Sequence, residues 1–206
     1  MIKIKICGIT NLEDALFCSS NGADALGFIF AVKSPRCLKP QQAKKIIEKL
    51  DPFITKIGVF MDQEPEKVLE LARYLKLDGL QFHGNESPNY CRNFSEEFKV
   101  IKVLFPENSP FEVKVNKYKN LTFLFDIPYK DKKDKGLFFS REILDEINYL
   151  ISKKVRVILS GGINSTNISK LKKNKPYAFD VCSSIETIVG KKDKAAVKQL
   201  IEAIKK

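Results

Sequence analysis

The sequence predicts an α/β protein in which a single (β/α)8 barrel, the TIM-barrel architecture, occupies residues 1–206. Two observations lead to this prediction. Short runs rich in β-branched and aromatic residues alternate with amphipathic helical patterns, and eight such units fill the chain without a linker or a shift in composition. Right-handed crossovers between parallel strands allow either an open sheet or a closed barrel. The count of eight favours the closed barrel.

The elements alternate strictly along the chain. The predicted strands occupy residues 2–8, 24–30, 54–60, 78–83, 100–105, 121–126, 155–160 and 177–182. The helical patterns between and after them occupy residues 11–21, 41–50, 65–75, 110–118, 141–150, 166–173 and 194–205. Several helix starts have residues that favour a first turn: Thr10 or Asn11 for the first helix, Pro65 for the third, and Asn164, Ser165 or Thr166 after the seventh strand.

The composition excludes several kinds of catalytic site. The chain has one histidine, so it lacks the ligands for a histidine-rich zinc site or for an iron site with two histidines and a carboxylate. A Ser-His-Asp triad would have to use His83, and the sequence has no G-x-S-x-G motif to supply the serine. Acid-base chemistry must therefore depend mainly on carboxylates, cysteines or lysines.

The formal net charge of +11 raises the question of an anionic partner. Almost all of the excess is lysine in residues 112–206. A nucleic-acid-binding module would be expected to cluster arginines and aromatic residues as well, and the sequence shows neither cluster. We interpret the lysines as a solvated surface with a minor role in steering an anionic small molecule, and we expect neither nucleic acid nor membrane as a partner.

The cysteines indicate a reducing compartment. There are five of them, an odd number, and no pair has C-x-x-C spacing, so they are expected to be free thiols of a cytoplasmic protein. The N-terminal residues alternate in polarity and lack the apolar stretch of a signal peptide. No apolar run approaches the roughly 20 residues of a membrane span. The sequence leaves the oligomeric state open between monomer and homodimer.

Polar residues lie where the predicted strands end, which is the active face of a barrel. After the seventh strand, Gly161 and Gly162 can bring backbone N–H groups close to an anion, next to a helix start. Ser183 and Ser184 follow the eighth strand, and the loops after these two strands commonly hold phosphate in barrels. The alternative is that both are ordinary turns that need small residues.

Cys7 ends the first strand, and strand alternation places it on the same face as Lys5, inside the barrel. A nearby cation lowers the pKa of a thiol, so Lys5 can make Cys7 a usable base. The alternative role for Cys7 is a small apolar plug. Lys5 needs a partner inside a barrel, and closure would bring strand eight beside strand one, which makes Asp180 the predicted partner.

Three more residues are candidates for the site. Asp126 ends an apolar strand, where partial desolvation suits a carboxyl group to general acid chemistry, although a loop hydrogen bond explains it equally well. Arg36 can offer its forked guanidinium to a planar carboxylate, or it can simply be solvated. His83 is expected to be structural or to orient a substrate.

In sum, the motifs resemble those of the phosphoribosylanthranilate isomerase family. The ordered resemblance runs from residue 5 to residue 193 and includes the Lys-Ile-Cys-Gly-Ile-Thr start and the Gln-x-His-Gly tetrad. Its segments are residues 5–10, 22–30, 34–36, 58–60, 80–84, 159–163, 180–181, 183, 186 and 190–193. The resemblance implies a phosphorylated small-molecule substrate and a cofactor-free Amadori rearrangement in tryptophan biosynthesis. The alternative is another phosphosugar isomerase or epimerase on the same barrel.

The resemblance also implies roles for individual residues. Asp126 would be the general acid that opens the furanose ring, and Cys7 the general base that removes the C2 proton. Arg36 would hold the anthranilate carboxylate, and the backbone of the two turns at 161–162 and 183–184 would hold the phosphate.

Two segments depart from the family pattern. The loop at 129–139 lacks the usual glycine-rich closing sequence and Phe-x-Trp element. The last turn reads Cys182-Ser183-Ser184 where the family has Ser-Ser-Gly, so a positive φ at Ser184 would be strained.

Overall fold

Eight parallel strands close into one barrel in the computed structural model, which describes residues 1–106, 110–118, 121–127 and 139–205. The barrel strands are β1 (Lys3–Cys7), β2 (Ala25–Ile29), β3 (Thr55–Phe60), β4 (Gly79–Phe82), β5 (Lys99–Leu104), β6 (Thr122–Phe125), β7 (Val157–Leu159) and β8 (Ala178–Val181). Each strand pairs with the next in chain order, and β8 pairs with β1. The closed barrel is confirmed, and the open sheet is excluded.

Helices follow the strands around the outside of the barrel. They are α1 (Leu12–Ser20), α2 (Pro40–Ile47), α3 (Pro65–Leu75), α4 (Pro88–Arg92), α5 (Phe111–Lys117), α6 (Arg141–Ser152), α7 (Ile168–Leu171) and α8 (Lys194–Lys205). None of the helices in the described ranges is long and apolar enough to cross a membrane.

Strand alternation divides the apolar residues into two cores. The smaller core fills the inside of the barrel and consists of Ile57, Ile101, Val103, Leu124, Ile158 and Ala178. The larger core lies between strands and helices and includes Ile4 and Ile6. Because Ile4 and Ile6 face the helices, the alternate positions Lys5 and Cys7 face the interior, as the period of two predicts.

The predicted helix starts are confirmed in part. The Asn11 side chain caps α1 by accepting the N–H of Asp14 at 2.8 Å, and Pro65 is the first residue of α3. Neither Ser165 nor Thr166 caps α7, which begins later, at Ile168. Asn164 instead accepts the N–H groups of the next turn, because its short amide side chain reaches two residues ahead along the backbone.

Two short elements were not predicted. Helix α4 has five residues and starts after Ser87, whose side chain accepts the N–H of Tyr90. After β8, the chain makes a 3₁₀ turn and then a small hairpin of β9 (Glu186–Ile188) and β10 (Lys191–Lys192). Both elements are too short to show a helical or strand periodicity in sequence. The hairpin matters because it brings Glu186 and Lys192 back to the barrel rim.

Candidate active site

The polar residues that end the strands gather at one rim of the barrel. Cys7 is the last residue of β1, and His83, Asp126, Ser160 and Cys182 each come directly after a strand. All strands of a parallel barrel end at the same face, so residues far apart in sequence are brought together there. The prediction that strand ends form the site therefore follows from the barrel itself.

Lys5 and Asp180 form a buried ion pair one level below this rim. Their strands run in register, with Lys5 opposite Asp180, and Lys5 Nζ lies 2.8 Å from Asp180 Oδ1. Both side chains are almost completely buried. Burial opposes the charged form of Lys5 most strongly, but the Asp180 carboxylate and the Cys7 sulfur together outweigh it and raise the pKa of Lys5 above its usual value. The predicted pair is confirmed.

The Cys7 thiol lies at the rim in a buried position, with only 5% of the residue exposed. A Cβ at Gly27 would lie 2.7 Å from the Cys7 sulfur and 2.8 Å from Lys5 Nζ, so the thiol and the ammonium border the same small space. The pKa of Cys7 is lowered below the usual thiol value, mainly by the interaction with Cys182 and to a smaller extent by the Lys5 charge, although burial opposes this. The arrangement favours a thiolate at Cys7 over an inert plug.

Cys182 was not predicted as a neighbour of Cys7. The signal was present, because the register that pairs Lys5 with Asp180 also places residues 7 and 182 at the same level of adjacent strands. The hydrogen bond to Cys7, together with burial, raises the pKa of Cys182. The interaction between the two thiols thus acts in opposite directions on their pKa values, lowering that of Cys7 and raising that of Cys182.

Asp126 is buried at the end of β6, with 4% of the residue exposed. Its Oδ1 accepts the N–H of Ile127 at 2.7 Å, and its Oδ2 lies 3.7 Å from Nε2 of His83. A side chain at Gly161 would place its Cβ 2.8 Å from Oδ1, so the glycine turn packs directly against the carboxyl group. One oxygen is thus held by the backbone while the other faces the imidazole.

His83 lies between Asp126 and the wall of the rim. The Gln81 side-chain amide is 3.3 Å from Nδ1, and the ring packs against Phe105 with centroids 5.6 Å apart. These contacts fix the orientation of the ring that faces Asp126. They fit the prediction that His83 is structural or orients a substrate.

Arg36 extends from the loop after β2 and forms a forked ion pair with Glu186 of the hairpin. Arg36 Nε donates to Glu186 Oε1 at 2.9 Å, while Nη2 donates to Oε2. Lys192 holds the same carboxylate at 2.9 Å. The hydrogen bonds to Glu186 raise the pKa of Arg36 although burial opposes this. Sequence reasoning did not predict the pair, because no local pattern connects two loops 150 residues apart.

The turn after β7 has the backbone geometry expected of an anion site. Gly161 and Gly162 both have positive φ, 87° and 70°, and residues that carry a Cβ are strained at such angles. The side-chain amides of Asn164 and Asn167 donate to the carbonyl of Gly162, at 3.3 and 2.9 Å. The carbonyl is thereby held toward the helix, which fixes the orientation of the peptide group.

The turn after β8 lies next to it. Ser183 and Ser184 are exposed and begin a 3₁₀ turn, and Ser184 Oγ donates to the carbonyl of Ile163. Ser184 is not among the described non-glycine residues with positive φ, so the strain expected for a serine at this position does not arise. The first N–H groups of a helical turn have no acceptor inside the turn and are available to an anion.

Two further features complete the description of the site. The loop at 129–139, which departs from the family pattern, lies outside the described residues except for Phe139, which is buried. Within the described ranges, no group of three or more His, Cys, Asp or Glu side chains is arranged to hold a metal ion.

Comparisons with known proteins agree with one another over the full chain. The family model described as N-(5'phosphoribosyl)anthranilate (PRA) isomerase matches residues 4–203. The N-(5'-phosphoribosyl)anthranilate isomerase of Thermotoga maritima is 38% identical, covering 100% of this chain and 99% of the relative. Its crystal structure superposes with a TM-score of 0.90 and the same coverage. A further crystal structure, of such an isomerase in complex with reduced 1-(o-carboxyphenylamino)-1-deoxyribulose 5-phosphate, is 38% identical, with a TM-score of 0.85 and coverage of 100% and 99%.

Proposed function

The chain belongs to the N-(5'-phosphoribosyl)anthranilate isomerase family, and on this premise we propose how its own residues carry out the reaction. It is an aldose-ketose isomerase of tryptophan biosynthesis. It converts N-(5-phosphoribosyl)anthranilate into 1-(2-carboxyphenylamino)-1-deoxyribulose 5-phosphate. The observation that carries the residue assignment is the buried Cys7 thiol, held against Lys5 and Cys182 at the rim where Asp126 also lies.

Asp126 is the general acid of the first step. Its protonated carboxyl group donates to the furanose ring oxygen while the C1–O bond breaks, and the substrate nitrogen forms a Schiff base. The backbone N–H of Ile127 occupies Oδ1, so we assign the transferred proton to Oδ2, the oxygen that faces His83. The fixed imidazole supports this assignment, because it orients the carboxyl group at the rim.

Cys7 is the general base of the second step. Its thiolate removes the C2 proton of the Schiff base, and the resulting enolamine tautomerises to the ketone. The cation of Lys5 beneath the sulfur supports this role, because it stabilises the thiolate before substrate arrives. In one turnover Asp126 gives up one proton and Cys7 gains one, so transfer of a proton between them resets the enzyme without a cofactor.

Arg36 and the two turns hold the ends of the substrate. The bonds to Glu186 use Nε and Nη2 of Arg36, so the opposite edge of the guanidinium can receive the anthranilate carboxylate. The phosphate lies against the backbone of Gly161, Gly162 and the 183–184 turn, where positive φ angles and a helical first turn supply N–H donors. His83 orients the bound sugar beside Asp126.

The remaining assignments follow from the same premise. We propose that residues 1–206 act as one catalytic barrel domain and that the protein works in the cytoplasm, which the five free thiols support. The alternative of another phosphosugar isomerase or epimerase is not favoured, because the family match extends over residues 4–203.

The decisive assay follows the loss of N-(5-phosphoribosyl)anthranilate fluorescence for the wild type and for Cys7→Ser and Asp126→Asn. Because a general acid or base contributes a rate factor of about 10²–10⁴, each substitution should lower kcat by that factor. Cys18→Ala, which removes a buried thiol outside the site, is the matched control. Ordinary turnover by either site variant would overturn the mechanism, and inactivity of the wild type would overturn the function.

A further inference from the structure

We propose that Cys182 is a positioning residue for this reaction: its thiol donates a hydrogen bond to the Cys7 sulfur and so holds Cys7 as the thiolate base. The inference rests on the proposed role of Cys7. It adds a residue that touches the base and not the substrate, at a position where this chain departs from the Ser-Ser-Gly pattern of its family.

The strand register places the two cysteines side by side. Lys5 is opposite Asp180 and Ile6 is opposite Val181, so the next residues along the two strands, Cys7 and Cys182, are level with each other at the rim. Adjacent strands are about 4.8 Å apart, which is within reach of two thiol side chains that converge. We infer from this placement that the two thiols meet in a hydrogen bond, and the lowered pKa of Cys7 together with the raised pKa of Cys182 agrees with it.

Two glycines make room for the sulfurs. Gly27 is the partner of Cys7 on β2, and a Cβ there would lie 2.7 Å from Cys7 Sγ. A Cβ on Gly8 would lie 2.9 Å from Cys182 Sγ. Real Cβ atoms do not approach other atoms so closely, so both thiols occupy space that only glycine leaves open. The packing fixes the direction of each S–Cβ bond and holds the pair together.

The backbone of Cys182 is fixed separately. Its φ and ψ of −131° and −84° leave the strand region at the point where β8 passes into the 3₁₀ turn. Lys192 Nζ donates to the Cys182 carbonyl at 3.1 Å and is itself buried. This bond ties the donor thiol to the hairpin that also orients Arg36.

The charges around the pair decide which thiol ionises. The groups that act on Cys7 are Lys5, Asp180, Arg36 and Cys182, while Cys182 also has Lys192 and Arg36 near it. The Lys5 cation lowers the pKa of Cys7, and the interaction between the thiols lowers the pKa of Cys7 while it raises that of Cys182. A neutral S–H is a weak donor, but it is strengthened when the acceptor is a thiolate. The negative charge therefore belongs on Cys7.

The first measurement is a thiolate titration of the ligand-free protein by ultraviolet absorbance. Cys37, the exposed thiol, is replaced by Ser throughout, and burial raises the pKa of both Cys18 and Cys91 to about 12, so Cys7 dominates the signal near neutral pH. Cys182→Ala should move the midpoint up by about one pH unit or more, since it removes a hydrogen bond to a charged group. Cys182→Ser keeps a donor and should stay near the starting value.

The controls separate the hydrogen bond from packing. Cys18→Ala removes a buried thiol elsewhere and should leave the midpoint unchanged. If Cys182→Ala fails to fold, Cys182→Val, which fills a similar volume without a donor, replaces it and should give the same upward shift. An unshifted midpoint in the donor-free variant, or an equal shift in Cys182→Ser, would overturn the proposal.

The second measurement is the pH dependence of kcat/KM for the same variants. The thiolate is the active form, so the activity of Cys182→Ala should rise at a pH that is higher by the shift seen in the titration, and Cys182→Ser should follow the wild type. A titration shift without a matching shift in activity would leave the thiol bond intact but refute Cys7 as the base. The two failures are thereby distinguishable.

Discussion

At the scale of single residues, the site depends on charged side chains that are buried inside the barrel. Lys5 and Asp180 are both almost completely buried, and each is tolerated only because the other lies 2.8 Å away. Desolvation of two ions costs about as much as their attraction returns, so the pair as a whole adds little to stability. Its value is functional, because the cation it fixes lies beside the Cys7 sulfur.

Removing one partner has a different effect from removing both. Asp180→Asn leaves Lys5 charged in the barrel without its carboxylate and should lower the free energy of unfolding by about 3–5 kcal/mol, measured by urea denaturation. The control is Glu97→Gln, which breaks the exposed pair with Arg73 and should lower the free energy of unfolding far less, because solvent screens that pair. Equal losses in the two variants would show that the buried pair is solvated in solution.

At the scale of elements, the turn after β7 does two things at once. Its positive φ angles aim backbone N–H groups outward, and the missing Cβ of Gly161 leaves space for the Asp126 carboxyl group. The same turn thus connects the proposed phosphate site to Asp126, the proposed acid. Asn164 and Asn167 stabilise it from the helix side through their bonds to the Gly162 carbonyl.

Gly161→Ala should therefore damage activity more than stability. Alanine at a φ of 87° costs about 1–2 kcal/mol in backbone strain, and its Cβ would lie 2.8 Å from Asp126 Oδ1. Gly22→Ala is the matched control, because it has a φ of 101° but its nearest neighbour is 3.6 Å away. Both variants should lose similar stability in thermal unfolding, while only Gly161→Ala should lose about tenfold or more in kcat/KM. Equal kcat/KM values would refute the coupling between turn and acid.

At the scale of the whole molecule, the net charge of +11 surrounds a site that takes an anionic substrate. The turns proposed for phosphate bind through backbone N–H groups. We therefore expect the surface lysines to raise the rate at which substrate encounters the enzyme more than they stabilise the bound complex. Steering of this kind is screened by salt, whereas short contacts in the site are screened much less.

Raising the ionic strength with a chloride salt from roughly 0.01 to 0.5 M should lower kcat/KM by about two- to fivefold and leave kcat unchanged. Chloride is used because sulfate and phosphate ions would compete for the phosphate turns. The measurement is a set of initial rates at low and at saturating substrate. A fall in kcat itself would show that salt affects the bound complex in the site, not the rate at which substrate associates with the enzyme.

The sequence by itself determined the features that follow from the periodicity of apolar residues and from the order of the elements along the chain. Alternation in β1 put Lys5 and Cys7 on the inner face, eight repeated units closed the barrel, and closure paired Lys5 with Asp180. Strand ends in a parallel barrel share one rim, so Asp126 and the glycine turn could also be assigned to the site in advance.

Only the tertiary structure decided how the loops at that rim meet. The structure brings together segments that share no local pattern: Arg36 forms a fork with Glu186, His83 approaches Asp126, and the Cys182 sulfur packs against Gly8. Register fixes which residues are level, but side-chain direction beyond a strand end depends on irregular backbone such as that of Cys182. For the same reason, the candidate base Cys7 could be expected from sequence and the register places Cys182 level with it, whereas the direction of the second thiol could be recognised only in the folded chain.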